Sequence, residues 1–269
     1  MAELITTPDA SAGASSGRSD DRTRLTARPV TGRQRFLNSA AVWLALMAYW
    51  GLTDAVIARY PPGGREVKPD NWLVHLLFTL AGLAAIWCMN RTGFPVAWDA
   101  RIPAARRLLR PALLGVGFGL LAIAIEEATG ATKILEAELG EAFTVAFPGS
   151  LLTYSAGAVV WETFFLLVPV PVLLWLISGV LLKGRGQTRT FWVLAALSAA
   201  IEPLLQGGSL LGASDGAIGP GTFAAYVAHA YAFNFAAAAC FRRYGLLAPI
   251  LVRLTYYLIW HIGYGNFLA

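Results

Sequence analysis

Charged residues are scarce in this chain. Only 14% of its 269 residues are Asp, Glu, Lys or Arg, whereas 57% are apolar. Soluble proteins carry roughly 25% charged residues, so most of the surface of this chain is unsuited to water. The composition therefore predicts a protein that folds in a lipid bilayer.

Cysteine and the common catalytic motifs are also in short supply. The two cysteines, Cys88 and Cys240, both lie in apolar stretches, which argues against a disulfide framework or a cysteine metal site. There is no glycine-rich phosphate loop and no His-Glu-x-x-His helix. No clear internal repeat is present, which disfavours transporters built from duplicated halves.

Apolar stretches of membrane-crossing length are abundant. A helix needs roughly 20 apolar residues to cross the hydrocarbon core. The sequence contains seven stretches near or above this length: Leu37 to Ala58, Trp72 to Met89, Pro111 to Ile125, Leu151 to Leu182, Phe191 to Leu205, Thr222 to Phe241 and Leu246 to Leu268. They predict an all-α bundle of about seven transmembrane helices.

The fourth stretch is longer than a bilayer requires. It contains Pro169 and Pro171, each of which removes a backbone donor and crowds the preceding turn. We therefore expect one long helix that bends at the prolines, with Phe147 to Ser150 at its start. An eighth, re-entrant element around Ala142 to Gly149 is the alternative that stays open.

The basic residues alternate between the predicted connections. Residues 18–35, 91–110, 183–189 and 242–243 hold most of the arginines and lysines, whereas the intervening connections are acidic or nearly neutral, with Glu126, Glu127, Glu136, Glu138, Glu141 and Asp215. Because short cytoplasmic loops carry the excess of Lys and Arg, we expect a cytoplasmic N-terminus in a bacterial-type cytoplasmic membrane. Residues 1–36 should form a disordered tail and residues 37–269 the transmembrane domain.

The net charge of +5 does not indicate nucleic-acid binding. The basic residues lie at the edges of apolar stretches rather than along one amphipathic segment, so they are interpreted as orientation signals. We expect no nucleic-acid partner. The expected partners are membrane lipid and another membrane protein.

Four ionisable side chains are predicted at a similar depth in four different helices. Glu162, Glu202, His229 and His261 each fall roughly 8 to 16 Å below the predicted outer face at a helical rise of about 1.5 Å per residue. Carboxylates and imidazoles suit a divalent metal such as zinc, and an uncoordinated carboxylate can act as a general base. Glu162 and Glu202 are therefore catalytic candidates, and His229 and His261 are candidate metal ligands.

Each candidate also has a structural interpretation. Glu162 could pair with Arg253, which together with Asn234 would then be a structural polar residue. Glu202 precedes Pro203 and could reach the outer interface. His229 could hydrogen-bond a neighbouring helix, and His261 could belong to an interfacial aromatic belt.

Two segments carry a resemblance to a known family. They are Trp161-Glu162-Thr163-Phe164-Phe165-Leu166, which precedes the proline-bearing helix and a basic loop, and the segment from Tyr244 to Arg253 with its Gly-Leu-Leu-Ala-Pro-Ile-Leu-Val sequence. Their order and character resemble the CAAX protease and bacteriocin-processing (CPBP) family of intramembrane metalloproteases. The resemblance covers roughly Pro111 to Asn266 and implies an intramembrane peptidase fold with a metal-dependent site.

The chain departs from the three motifs of this family. Of the Glu-Glu-x-x-x-Arg motif it keeps only the second glutamate, Glu162, since Trp161 and Leu166 take the other positions. The histidine of the second motif, aligned at Ile201 to Leu205, is absent. In the third motif Arg253 and Tyr257 replace histidine and asparagine.

These departures leave several hypotheses open. The chain is either a peptidase with a degenerate site, which is inactive or displaced, or a non-catalytic membrane subunit or assembly factor that binds another membrane protein. A transporter is a third, less favoured hypothesis.

Overall fold

The structure, a computed structural model, describes residues 31–62, 70–99, 101–140, 142–214 and 216–269. Residues 1–30 of the predicted tail lie outside this range, as do Glu141 and Asp215 among the acidic residues of the predicted outer connections. The first helix begins at Gly32, earlier than the predicted start at Leu37.

Eight helices and no strand occur in the described residues. In chain order they are α1 Gly32–Arg59, α2 Trp72–Arg91, α3 Ala105–Thr129, α4 Ala131–Leu139, α5 Gly149–Leu181, α6 Gln187–Ala213, α7 Pro220–Tyr244 and α8, whose consecutive segments are Leu247–Tyr257, Leu258–Tyr264 and Gly265–Phe267. The prediction of an all-α helical bundle is confirmed.

Six of these helices, α1, α2, α3, α5, α6 and α7, are long and apolar enough to cross a membrane. The prediction of a multi-pass membrane protein is confirmed at this level. The seventh predicted span corresponds to α8, but Arg253, His261 and several tyrosines lower its mean hydropathy. That α8 crosses the bilayer therefore stays a prediction.

The region before α5 differs from the predicted alternative. Residues 142–148 contain no helix, so the described part of this connection holds no re-entrant helical element. A short helix, α4, precedes it instead and was not predicted. It is too short and too rich in charge to be found by a search for long apolar stretches.

The prediction of one long helix is confirmed by α5, and a neighbouring helix accommodates Pro169. Gly149–Leu181 spans 33 residues and contains π-helical turns at Thr163–Leu167 and Trp175–Leu181. Pro169 has no N–H for the carbonyl four residues earlier, that of Phe165. Ser198 of α6 donates its hydroxyl hydrogen to this carbonyl. A helix-breaking residue is thus tolerated because the next helix satisfies the freed backbone group.

The serine contact can be tested by a double-mutant cycle. Ser198→Ala should lower the free energy of unfolding by about 1–3 kcal/mol, because it leaves a buried carbonyl without a donor. In a Pro169→Ala background the backbone N–H returns, so the same serine change should cost much less. Unfolding of the purified protein in mixed micelles measures both values. An equal cost in the two backgrounds would contradict this account.

Helices α3 and α8 approach closely at two glycines. A Cβ atom on Gly115 would lie 2.1 Å from the carbonyl oxygen of Val252, and one on Gly119 would lie 2.7 Å from Cβ of Ile259. Thr255 Oγ1 donates to the carbonyl of Ala112 at 3.0 Å across the same contact. Small residues four apart are the usual means by which membrane helices pack at short distance. This contact fixes α8, which carries the central arginine of the candidate site.

Arginines hold the connection between α2 and α3. Arg35 donates to the Phe94 carbonyl at 3.0 Å, and Arg242 donates to the Thr92 carbonyl at 2.8 Å. Arg107 donates to the carbonyls of Ala97, Asp99 and Ile102. Several basic residues that serve as predicted orientation signals therefore also fix a loop.

Asp99 in the same connection is held as a carboxylate. Arg101 donates to its two carboxylate oxygens at 2.9 and 2.6 Å. This hydrogen bonding, together with the arginine charge, lowers the pKa of Asp99 to about 2. The carboxylate therefore stays ionised throughout the physiological range.

Candidate functional site

Arg253 lies at the centre of a buried polar cluster. Its side chain leaves α8 at a position that is only 3% exposed. Nε donates to Oε1 of Glu162 at 2.7 Å, while Nη1 and Nη2 donate to Oε1 and Oε2 of Glu202 at 2.9 and 2.7 Å. Nη2 also donates to Oδ1 of Asn234 at 2.8 Å, and Nη1 to the Tyr257 hydroxyl at 3.4 Å. Four helices, α5, α6, α7 and α8, are joined at this single guanidinium.

The pair of Arg253 and Glu202 has the geometry of a strong ion pair. Two parallel N–H···O bonds connect the guanidinium to one carboxylate, and such bidentate pairs combine energy with a fixed orientation. The prediction that Glu202 reaches the membrane interface is wrong, because the residue is only 6% exposed. The predicted structural contact between Glu162 and Arg253 is present.

Asn234 connects this cluster to a second proline. Pro203 in α6 has no N–H for the carbonyl of Ala199, four residues earlier. Nδ2 of Asn234 lies 3.5 Å from that carbonyl oxygen and donates to it, while Oδ1 accepts from Arg253. The amide thus satisfies a freed backbone group and fixes the arginine, which explains an asparagine at a buried position in α7.

A cavity of about 410 Å³ adjoins the cluster. It lies among α3, α4, α5, α6, α7 and α8, at the end of the bundle opposite the connections that follow α2, α5 and α7. Of the residues singled out in the sequence, Glu202, His229, Asn234, Arg253 and His261 line it. Glu162 is not among the lining residues and touches the site through Arg253. The structure therefore brings five of the six residues to one space.

The two histidines have different environments. Nε2 of His229 lies 3.0 Å from the carbonyl oxygen of Phe118 on α3, so it donates to a neighbouring helix as the structural interpretation predicted. The His261 ring stacks on Tyr154, at a centroid distance of 4.4 Å, and on Phe143, at 5.8 Å. Its Nδ1 atom is buried and has no hydrogen-bond partner among the residues that the structure describes. His261 therefore belongs to the cavity wall rather than to an exposed aromatic belt.

The donor set of this site does not fit the expected zinc centre. Among the described residues, no group of three or more His, Cys, Asp and Glu side chains is arranged to hold a metal ion. Both oxygens of Glu202 already accept from Arg253, so this carboxylate is oriented by the guanidinium and not toward a set of ligating side chains. The zinc site stays a prediction, and the contacts of these residues are those of an ion-pair network.

Sequence reasoning missed the aromatic part of the site. Tyr154, Tyr226, Tyr256, Tyr257 and Trp260 all line the cavity. The Tyr226 hydroxyl donates to Oε1 of Gln206 at 2.9 Å, and Nε2 of Gln206 donates to Glu202 at 3.3 Å, which extends the polar cluster along the wall. A usable signal existed, since Tyr256 and Tyr257 follow Arg253 at helical spacings that place them on its face.

Glu126 is a second missed carboxylate on the wall. It is 5% exposed and accepts from the backbone N–H and the hydroxyl of Thr132 in the first turn of α4. A carboxylate at this position satisfies free amide groups and complements the helix dipole. The sequence pattern identifies Glu126 only as part of an acidic connection.

Comparison with known proteins adds no relative. No protein-family model, curated protein or solved structure matches this chain. The resemblance to the CPBP family therefore rests on the sequence motifs around Glu162 and Arg253 alone.

Proposed function

We propose that this chain is a non-catalytic integral membrane protein that binds a ligand in the cavity beside Arg253. The observation that carries the proposal is that every N–H donor of the Arg253 side chain is used in a hydrogen bond. A guanidinium offers five N–H donors. The five hydrogen bonds of Arg253 go to Glu162, Glu202, Asn234 and Tyr257. The carboxylates that could activate water are instead held by a fixed cation.

Hydrolysis is disfavoured by the position of Glu162. A general base must lie within hydrogen-bond reach of the water that it activates. Glu162 is 2% exposed, is absent from the cavity wall and accepts from Nε of Arg253. Glu202 does line the cavity, but both of its carboxylate oxygens are held by Arg253.

The CPBP resemblance supports the same interpretation. Arg253 and Tyr257 stand where the family carries histidine and asparagine, and in this chain they form the centre of the ion-pair cluster. We infer a family-like architecture in which the catalytic positions have become packing and binding positions. The N-terminus would face the cytoplasm, with the cavity toward the outer side of the cytoplasmic membrane. Another membrane protein as partner stays a prediction.

Metal content separates this proposal from a displaced metallopeptidase. The chain has three histidines, of which His75 stacks on Trp50 and does not line the cavity. We expect no stoichiometric zinc by mass spectrometry in the purified wild type, in a Glu202→Gln, His229→Ala double variant or in the control His75→Ala. One zinc per chain in wild type and control that is lost in the double variant would overturn the proposal.

A further inference from the structure

An apolar groove lies directly beside the polar cavity. It has a volume of about 490 Å³ and is lined by Phe78 of α2, Val160, Phe164 and Phe165 of α5, and Leu205 of α6, together with Trp161 and Gln206. Trp161 and Gln206 also line the cavity. The two spaces therefore adjoin at these two side chains, one of which is aromatic and the other an amide.

The groove opens on the side of the bundle that faces lipid. Phe164 is 59% exposed and Leu205 is 60% exposed. Both belong to helices long and apolar enough to cross the membrane. Exposed apolar side chains at such positions contact acyl chains, so a molecule can reach the groove from within the bilayer. The sharing of Trp161 and Gln206 by groove and cavity suits a molecule with an apolar chain and a polar head.

The charges of the cavity favour a cationic head. The donors of Arg253 are already used by four neighbouring residues, which leaves none for an anionic ligand. Glu162 and Glu202 together carry two carboxylates against this one guanidinium, and Glu126 adds a further carboxylate to the wall. An ammonium group would offset this excess of acidic groups.

The aromatic wall points to the same ligand chemistry. A cation is attracted to the face of an aromatic ring within about 6 Å of its centroid, and ammonium ligands are often bound in this way. Tyr154, Tyr226, Tyr256 and Trp260 line the cavity beside Glu202. The guanidinium of Arg253 lies 5.0 Å from the centroid of Phe233 in the same wall. The volume of about 410 Å³ lies within the usual range of ligand pockets, about 300–1,000 Å³.

We propose that cavity and groove together bind a membrane amphiphile with an ammonium head group. The head occupies the cavity beside Glu202 and the aromatic wall, and the chain lies in the groove against Val160 and Phe164. The ligand comes from the bilayer and not from the aqueous phase. This inference rests on the proposed binding function and names the ligand class of the same cavity.

Three probes that share a dodecyl chain but differ in their head groups test which head group the cavity binds. Dodecyltrimethylammonium, dodecyl phosphate and 1-O-dodecylglycerol are added at equal concentration to the purified chain in maltoside micelles, and bound adducts are counted by native mass spectrometry. We expect the cationic probe to bind at least about tenfold more tightly than the other two. Tetramethylammonium, which lacks the chain, should bind far more weakly because it leaves the groove empty.

Matched glycine variants locate the binding. A Cβ on Gly157 in the cavity wall would have its nearest neighbours at 3.9 Å, so Gly157→Leu can fill the cavity without a backbone clash. A Cβ on Gly117 would meet no atom of the described residues within 4 Å, so Gly117→Leu is the control. We expect the first variant to abolish binding of dodecyltrimethylammonium and the second to leave it unchanged. Val160→Trp should weaken binding by obstructing the groove.

The outcomes separate this inference from the function on which it rests. If all three probes bind equally and Gly157→Leu abolishes their binding, then the assignment of an ammonium head group is wrong. The cavity would still be a binding site. If tetramethylammonium, which has no dodecyl chain, binds as tightly as dodecyltrimethylammonium, then the inference that the ligand comes from the bilayer is wrong. Adducts that persist in Gly157→Leu, or no adduct with any probe, would overturn both the inference and the proposed binding function.

Discussion

Arg253→Met is expected to destabilise the protein by about 3–5 kcal/mol, because it leaves two carboxylates buried without their cation. Glu162 and Glu202 are 2% and 6% exposed, so both carboxylates have little contact with bulk water once the arginine is removed. Unfolding of the purified variant in mixed micelles measures the loss. The triple change Glu162→Gln, Glu202→Gln, Arg253→Met should recover most of it, since neutral amides bury at lower cost than unpaired carboxylates.

Arg110→Met is the matched control for this experiment. Arg110 begins the regular α-helical part of α3 and is exposed, so its replacement should change the free energy of unfolding by no more than about 0.5 kcal/mol. An Arg253→Met variant as stable as this control would show that the ion-pair cluster does not hold the four helices together. It would also remove the argument that the carboxylates are committed to structure.

Two neighbouring glycines in α3 should give effects of opposite sign. Gly115→Ala places a Cβ 2.1 Å from the carbonyl oxygen of Val252, so α3 and α8 must move apart. Overpacking of this kind costs about 1–3 kcal/mol, and separation also strains the hydrogen bond from Thr255 to Ala112. Gly117→Ala meets open space and should stabilise the helix by up to about 1 kcal/mol.

The comparison of these two variants tests whether α8 is fixed by close packing. Thermal unfolding of both proteins in the same detergent provides the measurement. If Gly115→Ala is as stable as Gly117→Ala, then the glycine contact does not position α8. Since α8 carries Arg253 and His261, a loosened contact should also reduce ligand binding in the cavity.

Pro169 in α5 and Pro203 in α6 are accommodated by the same physical rule. Each removes one backbone donor, and a polar side chain of the adjacent helix supplies it: Ser198 for the Phe165 carbonyl and Asn234 for the Ala199 carbonyl. The second of these side chains also binds Arg253. Irregular backbone in α6 is therefore coupled to the ion-pair cluster, which explains why Asn234 lies beside the cavity.

The sequence by itself determined where most of the helices lie. Hydrophobic length located the six helices suited to membrane crossing, including the long helix α5. The cost of burying charge in a membrane also identified Glu162, Glu202, Asn234 and Arg253 as residues that need partners. These inferences depend only on the composition of the chain and on the spacing of its residues. The bilayer constrains both strongly, because a membrane-spanning segment must satisfy its own backbone polar groups.

Only the tertiary structure decided which of these residues contact one another. The helices are apolar on nearly all sides, so their sequences do not fix the rotation that turns Glu202 inward to Arg253 rather than toward the interface. The same ambiguity hid the aromatic wall, the buried role of Glu126 and the boundary formed by Trp161 and Gln206 between cavity and groove. Helix rotation is set by close contacts such as Gly115 with Val252, which arise only when the helices pack.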